Sequence, residues 1–341
     1  MPLLIIQKIK NQFFEKSLFL PGIMGIISTD ISKAIEILNN GELVAIPTET
    51  VYGLAGNIFN ESSVKRIFET KKRPAYNPLI VHIPSIEYLN KVVSYIPEKA
   101  KQLADAFWPG SLTLILPKNP SIPDLVTAGK STVGVRIPNH PITLELLQRL
   151  DFPLAAPSAN PFNRISPTRP EHVADYFEGS LKMVLDGGVC QKGVESTIVG
   201  FENETPVIYR LGAISVEDIE SVVGPVELKN KKEESPDAPG MLLKHYSPQT
   251  KIFISDSIES DLEFYKSEKI GVLSFSNSYN QSLVKVNSIL SPSGNLEEAA
   301  ANLYQALHDL DTQNLTLILA EKFPEIGLGK TINDRLKRAA S

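Results

Sequence analysis

The alternation of strand-like and helix-like segments breaks once in this 341-residue chain, and the break constrains the fold more than any other feature. Before it, strand patterns are expected at residues 43–47, 79–83, 112–116, 132–137, 154–156, 183–185, 197–201 and 207–211. Helical spacing lies between several of them, at 31–38, 86–93, 97–107, 143–149 and 170–177. A charge run (Lys229 to Glu234) and Ser235-Pro236-Asp237-Ala238-Pro239-Gly240 then read as an inter-domain linker. After Lys251 the alternation restarts, with strands at 252–254, 270–275, 284–290 and 315–319 and helices near 262–265, 296–310 and 331–340. A chain of this length exceeds the usual single domain. The expected class is α/β: a mixed-sheet domain over 24–224, a linker over 225–249, and a small Rossmann-like open parallel sheet over 250–341.

Composition narrows the function. A net charge of −5 argues against a protein that coats nucleic acid, but leaves room for a local basic pocket built from Lys71, Lys72, Arg73, Arg136, Arg164, Arg169 and Arg210. The single cysteine, Cys190, allows neither an internal disulfide nor a thiolate zinc cluster, which fits a cytoplasmic protein. No apolar run approaches the roughly 20 residues of a membrane span. Residues 1–23 resemble neither a signal peptide nor a transit sequence. With a second start available at Met24, they read as an N-terminal extension, or else as an extra strand or helix packed on the first domain.

Several segments carry chemistry. Lys71-Lys72-Arg73-Pro74 falls where a helix over 64–69 ends, and Asn77 and the strand bearing His82 follow. This order suits a phosphate-gripping connection, although cations also complement a helix C-terminus. Pro47-Thr48-Glu49-Thr50 closes a strand and either faces a crevice or forms a hydroxyl-stabilised turn. On the strand 132–137, alternation puts Thr132, Gly134 and Arg136 on one face, with Thr132 and Arg136 about 13 Å apart at roughly 3.3 Å per residue. That face serves two parts of a ligand or two ligands, or Arg136 makes a structural ion pair. Ala155-Ala156-Pro157-Ser158 lets a ligand approach the backbone, with Ser158 and Ser166 offering hydroxyls. Glu195-Ser196-Thr197 and Arg210 sit at further strand ends. Gly327-Leu328-Gly329-Lys330-Thr331 imitates a P-loop, but Pro324 occupies the first glycine position. Five histidines lack metal-type clustering, and His82 alone would by default be a core residue.

As an ordered set, these segments resemble the threonylcarbamoyl-AMP synthase family in its two-domain Sua5 form. The resemblance includes Trp108-Pro109-Gly110-Ser111-Leu112-Thr113, Lys244-His245-Tyr246-Ser247-Pro248 and Asn333-Asp334-Arg335-Leu336, and it spans roughly residues 28–341. It implies a YrdC-like twisted mixed sheet around a basic cavity. The reaction it implies joins L-threonine, bicarbonate and ATP, with Mg²⁺, into threonylcarbamoyl-AMP and pyrophosphate. A tRNA threonylcarbamoyl-transferase complex would take the product, and the resemblance also implies a weak tRNA contact. By resemblance, threonine would meet Thr50, His82, Arg136, Ala156 and Ser196. ATP would meet Arg73, Asn77, Thr132, Ser158, Ser166, Arg210 and Tyr246, with Lys71 and Arg73 catalytic at the phosphates. The alternative from another class is a non-catalytic RNA-binding module of the same fold.

Overall fold

The computed structural model describes residues 26–229, 246–279 and 282–341; the N-terminal extension expected at 1–23 and most of the expected linker, Lys244 and His245 included, lie outside them. Eleven strands form the first sheet: β1 (Ile27–Ser28), β2 (Val44–Ile46), β3 (Gly53–Asn57), β4 (Ile80–His82), β5 (Leu112–Pro117), β6 (Thr132–Arg136), β7 (Leu154–Ala155), β8 (Val184–Leu185), β9 (Thr197–Glu202), β10 (Thr205–Arg210) and β11 (Glu227–Leu228). Their order is β1-β8-β2-β3-β7-β4-β6-β5-β9-β10-β11. The sheet is mixed: β4 runs parallel to β6 and β5 to β9, while β2 opposes β3 and β5 opposes β6. Its last strand lies beyond residue 224. The second sheet contains β12 (Lys251–Ser255), β13 (Ile270–Ser274), β14 (Val284–Ile289) and β15 (Leu317–Glu321). Its order is β12-β15-β13-β14 with every pairing parallel, the open parallel sheet that the restarted alternation predicts.

Five elements escape the sequence reading: β1, β3, β11 and the helices Asp124–Thr127 and Val216–Val223. β3 contains two glycines and four of its five residues are buried, so it shows no polar alternation to reveal it. The helix Val216–Val223 is short, yet a capping box between Ser215 and Asp218 marks its start.

The connection into β4 forms as the cation cluster suggests. The helix Glu61–Lys71 begins at Asn60, whose side chain accepts the Ser63 N–H, and ends with Lys72 in the left-handed region at φ 53°. Arg73 N–H then closes on the Phe68 carbonyl, which turns the chain sharply toward the sheet.

The two units share a core. Val51, Ile165, Val194 and Ala213 of the first pack in one apolar cluster with Tyr246, Leu303, Tyr304 and Ile332. Gly193, at φ 67°, touches the helix Leu296–Asp311: a Cβ there would lie 2.1 Å from the Ala301 carbonyl oxygen, so only glycine fits. Asp311 on that helix accepts the N–H groups of Gln249 and Thr250 and pairs with Arg164 at 3.2 Å.

A histidine pair also joins the units. The rings of His172 and His308 stack with centroids 3.7 Å apart, and His308 Nε2 lies 3.2 Å from the Ser166 carbonyl oxygen. Burial, then the neighbouring His308 and Arg169, pushes His172 down to about 3. Burial brings His308 down to about 4 against the opposing pull of the Ser166 carbonyl and Asp311. An unfolded histidine titrates near 6.5, so between about 6.5 and 4 the unfolded chain binds protons that the folded chain refuses. The pair's contribution is therefore complete above that window and shrinks as pH falls through it. Thermal midpoints from pH 7.5 to 4.5 are expected to fall less steeply in His308→Gln than in the parent; parallel curves would remove the pair from the acid response.

Candidate active site

The ends of β4 and β6, the turn after β2 and the segment after β7 surround a cavity of about 50 Å³. At one end, Thr48 Oγ1 donates to the Val51 carbonyl and accepts from the Thr50 and Val51 N–H groups, so the segment is a hydroxyl-stabilised turn. It is also a cavity wall, because Thr50 Oγ1 accepts from Arg136 Nη1 at 3.0 Å. Both readings of this turn hold.

Arg136 likewise satisfies both of its readings. Its Nη2 pairs with Glu49 Oε1 at 2.5 Å, and its Nε donates to the Gly110 carbonyl at 3.0 Å. A guanidinium has five N–H donors, and three are used here, which leaves two for a carboxylate at the cavity it lines. Glu49 is fixed from the other side by Ser111 Oγ and the Asn139 N–H. Burial pushes Glu49 up, but the charge and hydrogen bond of Arg136 hold it below the usual carboxylate range. The Trp108–Thr113 segment therefore backs this end of the cavity through Gly110 and Ser111. His82 stands beside it, pushed down to about 3 by burial and then by Arg136, and is thus a neutral imidazole. Its Nδ1 has no hydrogen-bond partner among the described residues.

The other end is cationic. Arg73 is buried, and its guanidinium donates to the Asn77 carbonyl, Asn77 Oδ1 and the Pro78 carbonyl. Lys71 Nζ donates to the Ser158 and Asn160 carbonyls. These acceptors are all neutral oxygens. Burial, then Arg210, lowers Arg73 to about 9, and burial, then Arg73, lowers Lys71 far below its usual value. Arg210 donates through Nε and Nη2 to the Ser196 carbonyl and through Nη2 to Ser196 Oγ. Buried cations held only by neutral acceptors, as Arg73 and Lys71 are, are under strong pressure to take up an anion.

Of the residues expected at the site, Thr50, His82, Arg136, Ala156, Ser196, Arg73, Ser158, Arg210 and Tyr246 all line the cavity. Lys71 stands behind the wall and fixes the Ser158–Asn160 backbone. Asn77 orients Arg73, and its Nδ2 is buried without a partner among the described residues. Ser166 also stands back, donating to Glu195 Oε1 at 2.6 Å. Thr132 lies in a separate narrow cleft with Thr127, Lys130 and Ile198, and Ile80 lines both spaces and divides them. Glu49 and Glu195 enter the sequence reading only as members of their segments, with no role of their own; the structure pairs them with Arg136 and Arg335. The available signal was an acid inside each buried strand-end segment, Thr48-Glu49-Thr50 and Glu195-Ser196-Thr197.

Tyr246 enters the wall from the expected linker. The Ser247 N–H donates to the Asn163 carbonyl, and the Tyr246 ring stacks on Tyr304 at 5.6 Å and lies under the Arg335 guanidinium at 4.9 Å.

Among the described residues, no group of three or more histidine, cysteine or acidic side chains could hold a metal ion. Glu195, which lines the cavity, and Glu49, which stands behind Arg136, are already paired with Arg335 and Arg136. No described helix is long and apolar enough to cross a membrane.

The Sua5/YciO/YrdC family profile, described as "Telomere recombination", matches residues 36–212, and the profile described as "Threonylcarbamoyl-AMP synthase, C-terminal domain" matches 214–341. A threonylcarbamoyl-AMP synthase of Pyrococcus abyssi is 41% identical over 321 residues, covering 90% of this chain and 93% of its own length. The chain belongs to the threonylcarbamoyl-AMP synthase family. Another member of the family, from Bacillus subtilis, is 41% identical over 91% of this chain and 92% of its own length. A shorter threonylcarbamoyl-AMP synthase, from Saccharophagus degradans, is 31% identical over 49% of this chain but 88% of its own length. The crystal structure of P. abyssi Sua5 complexed with L-threonine superposes with a TM-score of 0.85 at 40% identity, covering 92% of this chain and 96% of that one. The fold class expected from the sequence is thus the family's fold.

Proposed function

We propose that this chain makes L-threonylcarbamoyl-AMP and pyrophosphate from L-threonine, bicarbonate and ATP. The observation that carries the reading is one cavity with a carboxylate-binding arginine at one end and buried cations on neutral acceptors at the other. Threonine's carboxylate takes the two remaining N–H groups of Arg136, and Thr50 and Ser196 offer hydroxyls to the rest of the molecule. The triphosphate lies against Arg73 and Arg210. Lys71 positions the Ser158 backbone and adds its charge from behind the wall. The nucleoside runs past Ile80 toward the Thr132 cleft.

The chemistry follows in two steps. The free amine of threonine bonds to the carbon of CO₂ and releases a proton to water, or to the carbon of bicarbonate and releases water, and either route gives the carbamate. A carbamate oxygen then attacks the α-phosphorus, and the bond to the bridging oxygen breaks, so pyrophosphate leaves with the charge that Arg73 and Arg210 oppose. Juxtaposition and electrostatics supply the rate, and no side chain is assigned as general base. Mg²⁺ would arrive with ATP and would help offset the charge of the phosphates. The product passes to a tRNA threonylcarbamoyl-transferase complex in the cytoplasm. Nothing at the site favours the RNA-binding alternative: its cations are buried around a small cavity instead of spread over a surface.

The test is pyrophosphate release by the purified protein. Release is expected only with L-threonine, bicarbonate and ATP together; equal release without threonine would end the reading.

A further inference from the structure

Among the described residues, the largest fully buried side chain is an arginine of the second unit, Arg335, and it reaches across to Glu195 in the cavity wall. On the helix Leu328–Ala339, its Nε donates to Glu195 Oε2 at 2.9 Å and its Nη2 to the Leu211 carbonyl at 2.6 Å. Tyr304, also fully buried, donates its hydroxyl to the same Oε2 at 2.9 Å. Ser166 takes Oε1, so the Glu195 carboxylate is held by three donors, two of them from the second unit. Burial pushes Glu195 up, yet Arg335, Arg210 and the Ser166 hydrogen bond keep it below the usual carboxylate range, so it is charged.

A charged, buried carboxylate must have a cation, and two stand within its field. Arg335 is bonded to it directly. Arg210 acts on it only through space, because its guanidinium is turned to Ser196 instead. Without Arg335, the uncompensated carboxylate would draw Arg210 onto itself. That would pull Arg210 away from Ser196 and cancel its charge at the cavity.

We propose that Arg335 and Tyr304 are positioning residues for the reaction: by saturating Glu195, they keep Arg210 bonded to Ser196 at the cavity wall, where its charge faces the nucleotide's phosphates. The second unit is therefore a structural part of the active site. The proposal rests on the synthase reading above, and it makes the ATP side depend on residues that never touch ATP.

Steady-state kinetics with each substrate varied in turn test it. Arg335→Met is expected to raise the KM for ATP by about tenfold or more, as loss of a charge-assisted contact does, with the threonine KM changed less than about threefold. Arg335→Lys should recover part of the loss. Glu195→Gln/Arg335→Met removes both charges and should lie closer to the parent in ATP KM than Arg335→Met alone, which a merely structural role would not produce. If Arg335→Met does not fold, Tyr304→Phe, which keeps the ring and removes one donor, is expected to raise the ATP KM by about threefold. A folded Arg335→Met with parental ATP KM, a double variant as impaired as the single one, or an unchanged Tyr304→Phe would each overturn the proposal. An inactive parent protein would instead overturn the synthase reading itself.

Discussion

Arg136→Ala is expected to raise the threonine KM more than tenfold and to lower the thermal midpoint as well. The lost contact to threonine's carboxylate is charge-assisted, worth roughly 1.5–3 kcal/mol, and about 1.4 kcal/mol is a tenfold change in affinity. The second effect comes from Glu49, which pairs with Arg136 in the buried wall. Breaking such a pair by removing one partner costs about 3–5 kcal/mol. A companion variant separates the two effects. Glu49→Gln/Arg136→Ala should regain much of the stability but none of the threonine binding. Thr132→Ala, across Ile80 in the neighbouring cleft, should impair ATP alone. Calorimetric titration with each ligand reads all three, and loss of both ligands in both single variants would dissolve the two-subsite picture.

A chain ending at Lys229 keeps the whole first sheet, β11 included, but is expected to lose pyrophosphate formation by at least about a hundredfold. It would lose Tyr246 from the cavity wall and both donors from the second unit to Glu195. It would also expose Val51, Ile165, Val194 and Ala213, so lower solubility should accompany the defect. Circular dichroism establishes whether the fragment folds. A folded fragment with undiminished turnover would reduce everything after Lys229 to a tether.

Local pattern and long-range contact divide what the sequence makes legible. Alternation alone places Thr132 and Arg136 on one face of β6, and the proline after Arg73 places that cation just beyond a helix end. Both inferences depend on neighbours a few residues away. Ile80, however, divides the ligand face into two spaces, and alternation says nothing about a residue from another strand. The burial of Lys71 is equally unreadable, because its acceptors lie 87 and 89 residues along the chain. Glu195 is the clearest case. Next to Ser196 and Thr197 it reads as one polar residue at a strand end, and its meaning depends on an arginine 140 residues later. Glycine-rich β3 was missed for the converse reason, since a strand buried on both faces carries no periodicity.

The Glu195–Arg335 bond also bears on how chains of different length in this family can diverge. A relative that matches 49% of this chain with 88% of its own length cannot contain both units. Where such a chain keeps only the first unit, no counterpart of the helix Leu328–Ala339 brings an arginine to the place of Glu195. An acid inherited at the place of Glu195 would then protonate, or capture the arginine meant for phosphate. In this chain the two positions therefore act as a unit: a change at 335 alone leaves a buried carboxylate at 195 without its bonded cation.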